Sequence, residues 1–150
     1  MSNVISQFKS LIEFDKAFSI GSRYSDGDIG AFEEKYNLNL PNDYKIFLRE
    51  IGIVEYDYGS HGSKFWFLKL EEIEAWSHEV FPKSENLFPS VLLIATSTSG
   101  EHYGLIKGRS ELFVFDQECP CYLWLEDQMS EFKFNDWLKL ITESKMESTW

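Results

Sequence analysis

The stretch LPNDYKIFLREIG, residues Leu40 to Gly52, is the most strongly specified local structure in the chain. Pro41 suits the start of a helix, because its missing amide would have no partner there. Four apolar side chains recur at helical spacing and predict one buried face: Tyr44, Phe47, Leu48 and Ile51. Gly52 can adopt the left-handed backbone conformation that ends a helix. The pattern therefore predicts an amphipathic helix that ends at Gly52.

The residues before this helix predict a second helix, a loop and a short third helix. From Val4 to Phe18, apolar residues recur at helical spacing and predict an amphipathic helix. The segment from Ser19 to Gly30 is polar and contains three glycines, which predicts a loop. Asp26 or Asp28 is expected to cap a short helix through Tyr36, because a carboxylate accepts hydrogen bonds from the free amides of a first turn.

The residues after Gly52 predict a mainly antiparallel sheet. Short apolar runs between tight turns predict five strands: Ile53–Tyr58, Lys64–Leu68, Val91–Ala95, His102–Ile106 and Leu112–Phe115. Helical spacing returns from Leu70 to Val80, and a final helix is predicted from about Ser130 to Ser144. Helices at both chain ends around a central meander give an α+β fold. A length of 150 residues predicts a single domain over 1–150.

Charge and composition favour a protein partner over a nucleic acid. The chain has 25 acidic and 14 basic residues and a formal net charge of -11, so direct binding to DNA or RNA is disfavoured. An acidic field attracts basic partners, although acidity that serves only solubility is the alternative. Aromatic residues make up 17% of the sequence, more than a core needs, which favours aromatic binding anchors at the surface.

No apolar stretch has the length of a signal peptide or of a membrane span. We therefore expect a cytoplasmic chain without a membrane partner. Phosphate-binding, dinucleotide and nucleophile-elbow motifs are absent, so the chain is predicted not to be an enzyme. The residues that could bind zinc lack the spacing of a structural site: His61, His78, His102, Cys119 and Cys121. We predict no metal, no cofactor and two reduced thiols.

The chain resembles the SUKH superfamily, which includes bacterial immunity proteins and fungal cell-wall regulators. The resemblance rests on LPNDYKIFLREIG, which is similar to the family's Leu-Pro-x-Asp-Tyr-Lys helix ending in Gly. Three later segments follow in the family's order: FLKLEEIEAW (Phe67–Trp76), VLLIATSTSGEHYGLI (Val91–Ile106) and LFVFDQE (Leu112–Glu118). The central turn departs from the family's aspartate-rich pattern, because it reads Ser97-Thr98-Ser99-Gly100-Glu101. The resemblance implies a sheet of roughly six strands wrapped by helices, without a cofactor.

Many members of this superfamily neutralise a toxin, often a nuclease, that a competing cell delivers. The resemblance implies an immunity protein that binds and occludes a cognate protein toxin without turnover. A nuclease carries Lys and Arg to bind phosphate, so its inhibitor gains affinity and speed from an acidic face. Two alternatives stay open: a non-catalytic binding module in a cellular regulatory complex, and a small hydrolase that uses paired carboxylates.

Two acidic surfaces are candidates for the contact with this partner. The first follows the predicted helix start at Leu70 and contains Glu71, Glu72, Glu74, Glu79 and Glu85, with a solvated helix face as the alternative. The second interleaves acids with aromatic residues: Asp116, Glu118, Tyr122, Trp124, Glu126 and Asp127. A plain strand through Leu123 and Leu125 explains this second set equally well. Asp57 is a third candidate, although cross-strand aromatic pairs also explain its neighbours Tyr56 and Tyr58.

Overall fold

A computed structural model describes residues 3–14, 18–57, 64–81, 88–98, 101–116 and 130–139. Within these residues, seven strands form one antiparallel sheet in chain order. The strands are β1 Phe18–Ile20, β2 Val54–Asp57, β3 Lys64–Phe67, β4 Val91–Ser97, β5 Glu101–Ile106, β6 Leu112–Asp116 and β7 Ser130–Phe132. The helices are α1 Asn3–Phe14, α2 Asp26–Tyr36, α3 Asn42–Glu50, a 3-10 turn Leu70–Glu72 that continues into α4 Ile73–Val80, and α5 over 134–139. The predicted α+β fold with an antiparallel sheet is confirmed.

The stretch from Leu40 to Gly52 forms α3, and its apolar face lies at the centre of the core. The buried residues are the predicted ones: Tyr44, Phe47, Leu48 and Ile51. Phe47 stacks on Phe67 of β3, with ring centroids 4.6 Å apart. Gly52 has a φ of +92°, and a Cβ there would lie 2.5 Å from the carbonyl oxygen of Ser22. Both the dihedral angle and the close approach therefore require glycine at the end of this helix.

The sheet carries helices on both faces, and β3 contributes to each. Phe65 and Phe67 pack against Trp137 of α5, with ring centroids 5.6 Å apart in both pairs. Trp66 lies between them and contacts Trp76 of α4, with ring centroids 6.3 Å apart. Successive strand residues point to opposite faces, so this alternation separates the α3–α5 side of the sheet from the α4 side.

Two predicted helix boundaries are wrong because short strands form there. Helix α1 ends at Phe14, and Phe18 belongs to β1 instead of continuing the helix. Phe18 is paired with Tyr56 across the sheet, and their rings stack with centroids 4.4 Å apart. Ser130 belongs to β7, which pairs with β6, and α5 begins only at residue 134. The predicted end of this helix, at Ser144, lies outside the described residues.

The loop predicted from Ser19 to Gly30 is shorter than expected, and the cap of α2 differs from the prediction. Ser25 is the N-cap residue, and its Oγ accepts a hydrogen bond from the Asp28 amide at 3.1 Å. The Asp28 carboxylate accepts in return from the Ser25 amide at 3.2 Å. This reciprocal capping box satisfies two helix-end amides, so Asp28 acts from the third helical position. Asp26 instead forms an ion pair with Arg49 of α3 at 2.8 Å.

Candidate protein-binding site

The segment Leu70–Val80 divides the first predicted acidic surface into two rows. Residues that lie three, four or seven positions apart share one side of a helix. Glu71 and Glu74 hydrogen-bond to tyrosines from the α2 region, whereas Glu72 and Glu79 line a groove beside the sheet. We call the first pair the clamped row and the second pair the open row.

The clamped row borders a groove of about 360 Å³ between α2 and α4. The Tyr24 hydroxyl donates a hydrogen bond to Glu71 Oε1 at 2.5 Å and accepts one from the Leu70 amide at 3.1 Å. The Tyr36 hydroxyl donates to Glu74 Oε1 at 2.6 Å. These bonds join the start of the 3-10 turn and the first turn of α4 to α2 and the residues before it.

The clamps shift the pKa values of their partners in opposite directions. The hydrogen bond from Tyr24 is the main cause that lowers the pKa of the Glu71 carboxyl, and Tyr36 lowers the pKa of Glu74 in the same way. Burial, followed by the bond to the glutamate, raises the pKa of Tyr24 and of Tyr36 above its ordinary value. Near neutral pH, therefore, the glutamates are ionised acceptors and the tyrosines are protonated donors.

The open row borders a second groove, of about 530 Å³, which we call the tryptophan groove. Its lining residues are Ile53, Glu55, Trp66, Phe67, Leu68, Lys69, Glu71, Glu72, Ala75, Trp76 and Glu79. Trp66 and Trp76 are each partly exposed. Glu72 accepts a hydrogen bond from the Lys69 amide at 3.1 Å, and Glu79 has no hydrogen bond or ion pair with another residue in the described part of the chain. The lining thus combines two indole rings with four carboxylates and one ammonium group.

Packing fixes the indole of Trp76 at this groove. Its ring makes edge contacts with Trp66 and His102, with centroid distances of 6.3 and 6.5 Å. His102 is buried, and its Nδ1 lies 3.0 Å from the Thr96 hydroxyl. Trp76 Nε1 is buried without a hydrogen-bond partner among the described residues. Ring packing, rather than a hydrogen bond to this nitrogen, therefore positions the indole.

Comparison with known proteins identifies the family. The SMI1 / KNR4 family (SUKH-1) matches the chain over residues 24–143. The chain belongs to this family. It is also 30% identical over 138 residues to Immunity protein RhsIB of Dickeya dadantii (strain 3937), an alignment that covers 83% of this chain and 82% of that protein. The predicted resemblance to the SUKH superfamily is confirmed.

The SUKH-1 match contains both grooves and leaves out the first two elements. It begins at Tyr24, the first of the two clamping tyrosines, and includes every residue that lines either groove. Helix α1 and strand β1 precede it, although Phe8 of α1 packs against Phe47 of α3 with ring centroids 6.0 Å apart. The grooves are therefore part of the SUKH-1 region of the chain.

The other predicted contact residues lie apart from these grooves or outside the described residues. Asp57 is the exposed last residue of β2, opposite Lys64 of β3. Asp116 ends β6 opposite Glu101 of β5. The remaining members of the predicted surfaces lie outside the described residues: Glu85, Glu118, Tyr122, Trp124, Glu126 and Asp127. A role for any of these residues in binding stays a prediction.

The neighbours of Asp57 are described in part. Tyr56 is buried in the core, in the cross-strand pair with Phe18, as the alternative interpretation of this segment expects. Tyr58 lies outside the described residues.

Two further observations concern metal binding and membranes. Within the described ranges, no three His, Cys, Asp or Glu side chains converge as a metal site would require. His61, Cys119 and Cys121 lie outside those ranges, so the prediction of no metal stays untested for them. No helix in the described part of the chain combines the length and the apolar character needed to cross a membrane.

Sequence reasoning identified the acids of Leu70–Val80 but missed their partners. The clamping residues Tyr24 and Tyr36 lie 47 and 38 positions away from the glutamates they bind. Trp66 was missed as well, although one signal was available. It stands between two buried phenylalanines in a strand, and a strand position flanked by core residues faces the other side of the sheet.

Proposed function

We propose that this chain is an immunity protein that neutralises a cognate bacterial toxin by binding and occluding it. The observation that carries this proposal is the 30% identity over 138 residues to a protein named Immunity protein RhsIB. Because the alignment covers more than four fifths of both chains, the likeness extends over most of each protein. Membership of the SUKH-1 family supports the same role.

We further propose that the toxin presents a basic surface, as a nuclease does. The formal net charge of -11 and the excess of carboxylates around the tryptophan groove support this partner. Opposite charges steer two proteins together and can raise association rates toward about 10⁸–10⁹ M⁻¹s⁻¹ at low salt. The same charge disfavours contact with nucleic acid. The encounter would take place in the cytoplasm, where a delivered nuclease finds its substrate.

The proposed inhibition needs no catalysis by this chain. A hydrolase with paired carboxylates needs one carboxyl whose pKa is raised, so that it can donate a proton. The tyrosine hydrogen bonds lower the pKa of both Glu71 and Glu74. This direction disfavours the clamped row as an acid–base pair.

Co-expression with the product of the neighbouring gene, which the proposal expects to be the toxin, tests the proposal. We expect growth to be rescued and the two proteins to co-purify, with the mass of the toxin unchanged. Failure of both rescue and co-purification would refute the immunity role. The association rate is expected to fall steeply as salt rises, because screening weakens electrostatic steering. Tight binding that is independent of salt would refute the basic partner alone.

A further inference from the structure

We propose that the tryptophan groove is the docking site for an arginine side chain of the toxin. This inference rests on the proposed function and adds to it the contact surface and the chemistry of the contact. The residues that would hold the arginine are Trp66, Trp76, Glu72 and Glu79.

The lining of the groove matches a guanidinium group. The face of an indole attracts cations more strongly than the other aromatic rings do, and Trp66 and Trp76 are both partly exposed here. A guanidinium group is more weakly hydrated than an ammonium group, stacks on aromatic rings and binds carboxylates through two parallel hydrogen bonds. Arginine therefore fits this combination of rings and carboxylates better than lysine.

The open row, and not the clamped row, has acceptor capacity for a partner. Glu71 and Glu74 each accept a hydrogen bond from a tyrosine, and they would have to share or lose that bond to bind an incoming cation. Glu79 has no such bond within the described residues. Glu72 uses Oε1 for one backbone amide, and its second oxygen has no hydrogen bond to a described residue.

Helix geometry places the open row on either side of an indole. Glu72 and Glu79 are seven residues apart, which corresponds to roughly 10 Å along a helix axis. Ala75 and Trp76 lie between them on the same side, and all four residues line the groove. The groove lining has four carboxylates and one lysine. The electrostatic energy of a cationic side chain therefore falls when it enters the groove, and that of an anionic side chain rises.

A binding experiment with matched variants tests the assignment. The first variant is Glu72→Gln with Glu79→Gln, because glutamine keeps the acceptor oxygen that binds the Lys69 amide. The control is Glu13→Gln with Glu34→Gln, two exposed glutamates outside both grooves, which changes the net charge by the same amount. We expect the groove variant to bind the neighbouring gene's toxin domain about 10-fold more weakly than the control does. If the toxin binds both variants equally, the groove assignment is wrong while the immunity role stands.

Complete failure of the toxin to bind would count against the proposed function. In that case a second measurement still tests whether the tryptophan groove binds arginine. The probes are the capped tripeptide Leu-Arg-Leu and the same peptide with citrulline, which has the shape of arginine without its charge. The readout is the NMR signal of the indole N–H groups of Trp66 and Trp76, assigned with Trp→Phe variants. We expect only the arginine peptide to shift these signals, and the Glu72→Gln, Glu79→Gln variant to lose the response. Equal shifts with both peptides, or no shift with either, would overturn the proposal.

Discussion

Replacing Tyr24 by Phe removes one oxygen atom and two hydrogen bonds. The hydroxyl donates to Glu71 Oε1 and accepts from the Leu70 amide. A hydrogen bond to a charged group contributes about 1.5–3 kcal/mol and a neutral one about 0.5–1.5 kcal/mol. Because Glu71 is exposed and water competes for it, we take the lower end of both ranges. The free energy of unfolding should fall by about 2 kcal/mol, which lowers Tm by on the order of 4–8 °C.

Tyr44→Phe is the matched control, because the same atom is removed with the opposite consequence. The Tyr44 hydroxyl is buried and has no hydrogen-bond partner among the described residues. Burying an unpaired hydroxyl costs about 1–3 kcal/mol, so Tyr44→Phe should leave stability unchanged or raise it by about 1 kcal/mol. Urea unfolding at neutral pH measures both variants. If both change stability in the same direction, the assignment of these hydrogen bonds is wrong.

The effect of Tyr24→Phe should also depend on pH. The hydrogen bond lowers the pKa of Glu71 in the folded state, so its contribution is fully present above the ordinary carboxyl value of 4.5. That contribution is lost as the pH falls through the lowered pKa. The stability difference between the wild type and Tyr24→Phe should therefore narrow in acid to the share that comes from the bond between the Leu70 amide and the Tyr24 hydroxyl. Curves that stay parallel through this window would contradict the role of Glu71.

Three further changes have defined outcomes. Gly52→Ala should lower the free energy of unfolding by about 2 kcal/mol or more, because the positive φ and the nearby Ser22 carbonyl both disfavour a Cβ. Urea unfolding measures this change, and a neutral result would contradict the described backbone. Trp76→Phe should lower the free energy of unfolding by no more than about 2 kcal/mol, since the smaller ring loses part of the packing against Trp66 and His102 while a buried N–H without a partner is removed; a larger loss would contradict this description of the N–H. Stability should fall as the pH rises above 10.0, because the pKa values of Tyr24 and Tyr44 are raised in the folded state and the unfolded chain ionises first; an unchanged alkaline limb would refute the burial of these hydroxyls.

Local sequence patterns predicted correctly those elements that are specified by residues close together in the chain. Helix α3 has its own apolar stripe and a glycine at its end, so the sequence was sufficient for its core face. The three-residue strands β1 and β7 carry no such pattern, because the partner strand determines them. Phe18 continues the helical spacing of α1, but burial against Tyr56 in the sheet outweighs that spacing.

The sequence predicted which acidic residues belong to the candidate site, but it did not predict how they are arranged. The acids of Leu70–Val80 were visible as a cluster, and a solvated helix face was the open alternative. Their division into two rows depends on tyrosines from a distant part of the chain and on Trp66 from another strand. Such contacts follow from the tertiary packing of α2, α4 and β3, which no short window of sequence contains.

The two rows of Leu70–Val80 also have a consequence for how this chain can change during evolution. The clamped row attaches the helix to α2, so substitutions at Glu71 or Glu74 carry a cost in stability. The open row contributes little to that attachment, and Ala75 and Glu79 are exposed. Substitutions at these exposed positions can therefore accumulate while the helix stays in place. With the proposed toxin contact at the tryptophan groove, a lineage that faces a changed toxin could alter its recognition surface there and keep the same fold.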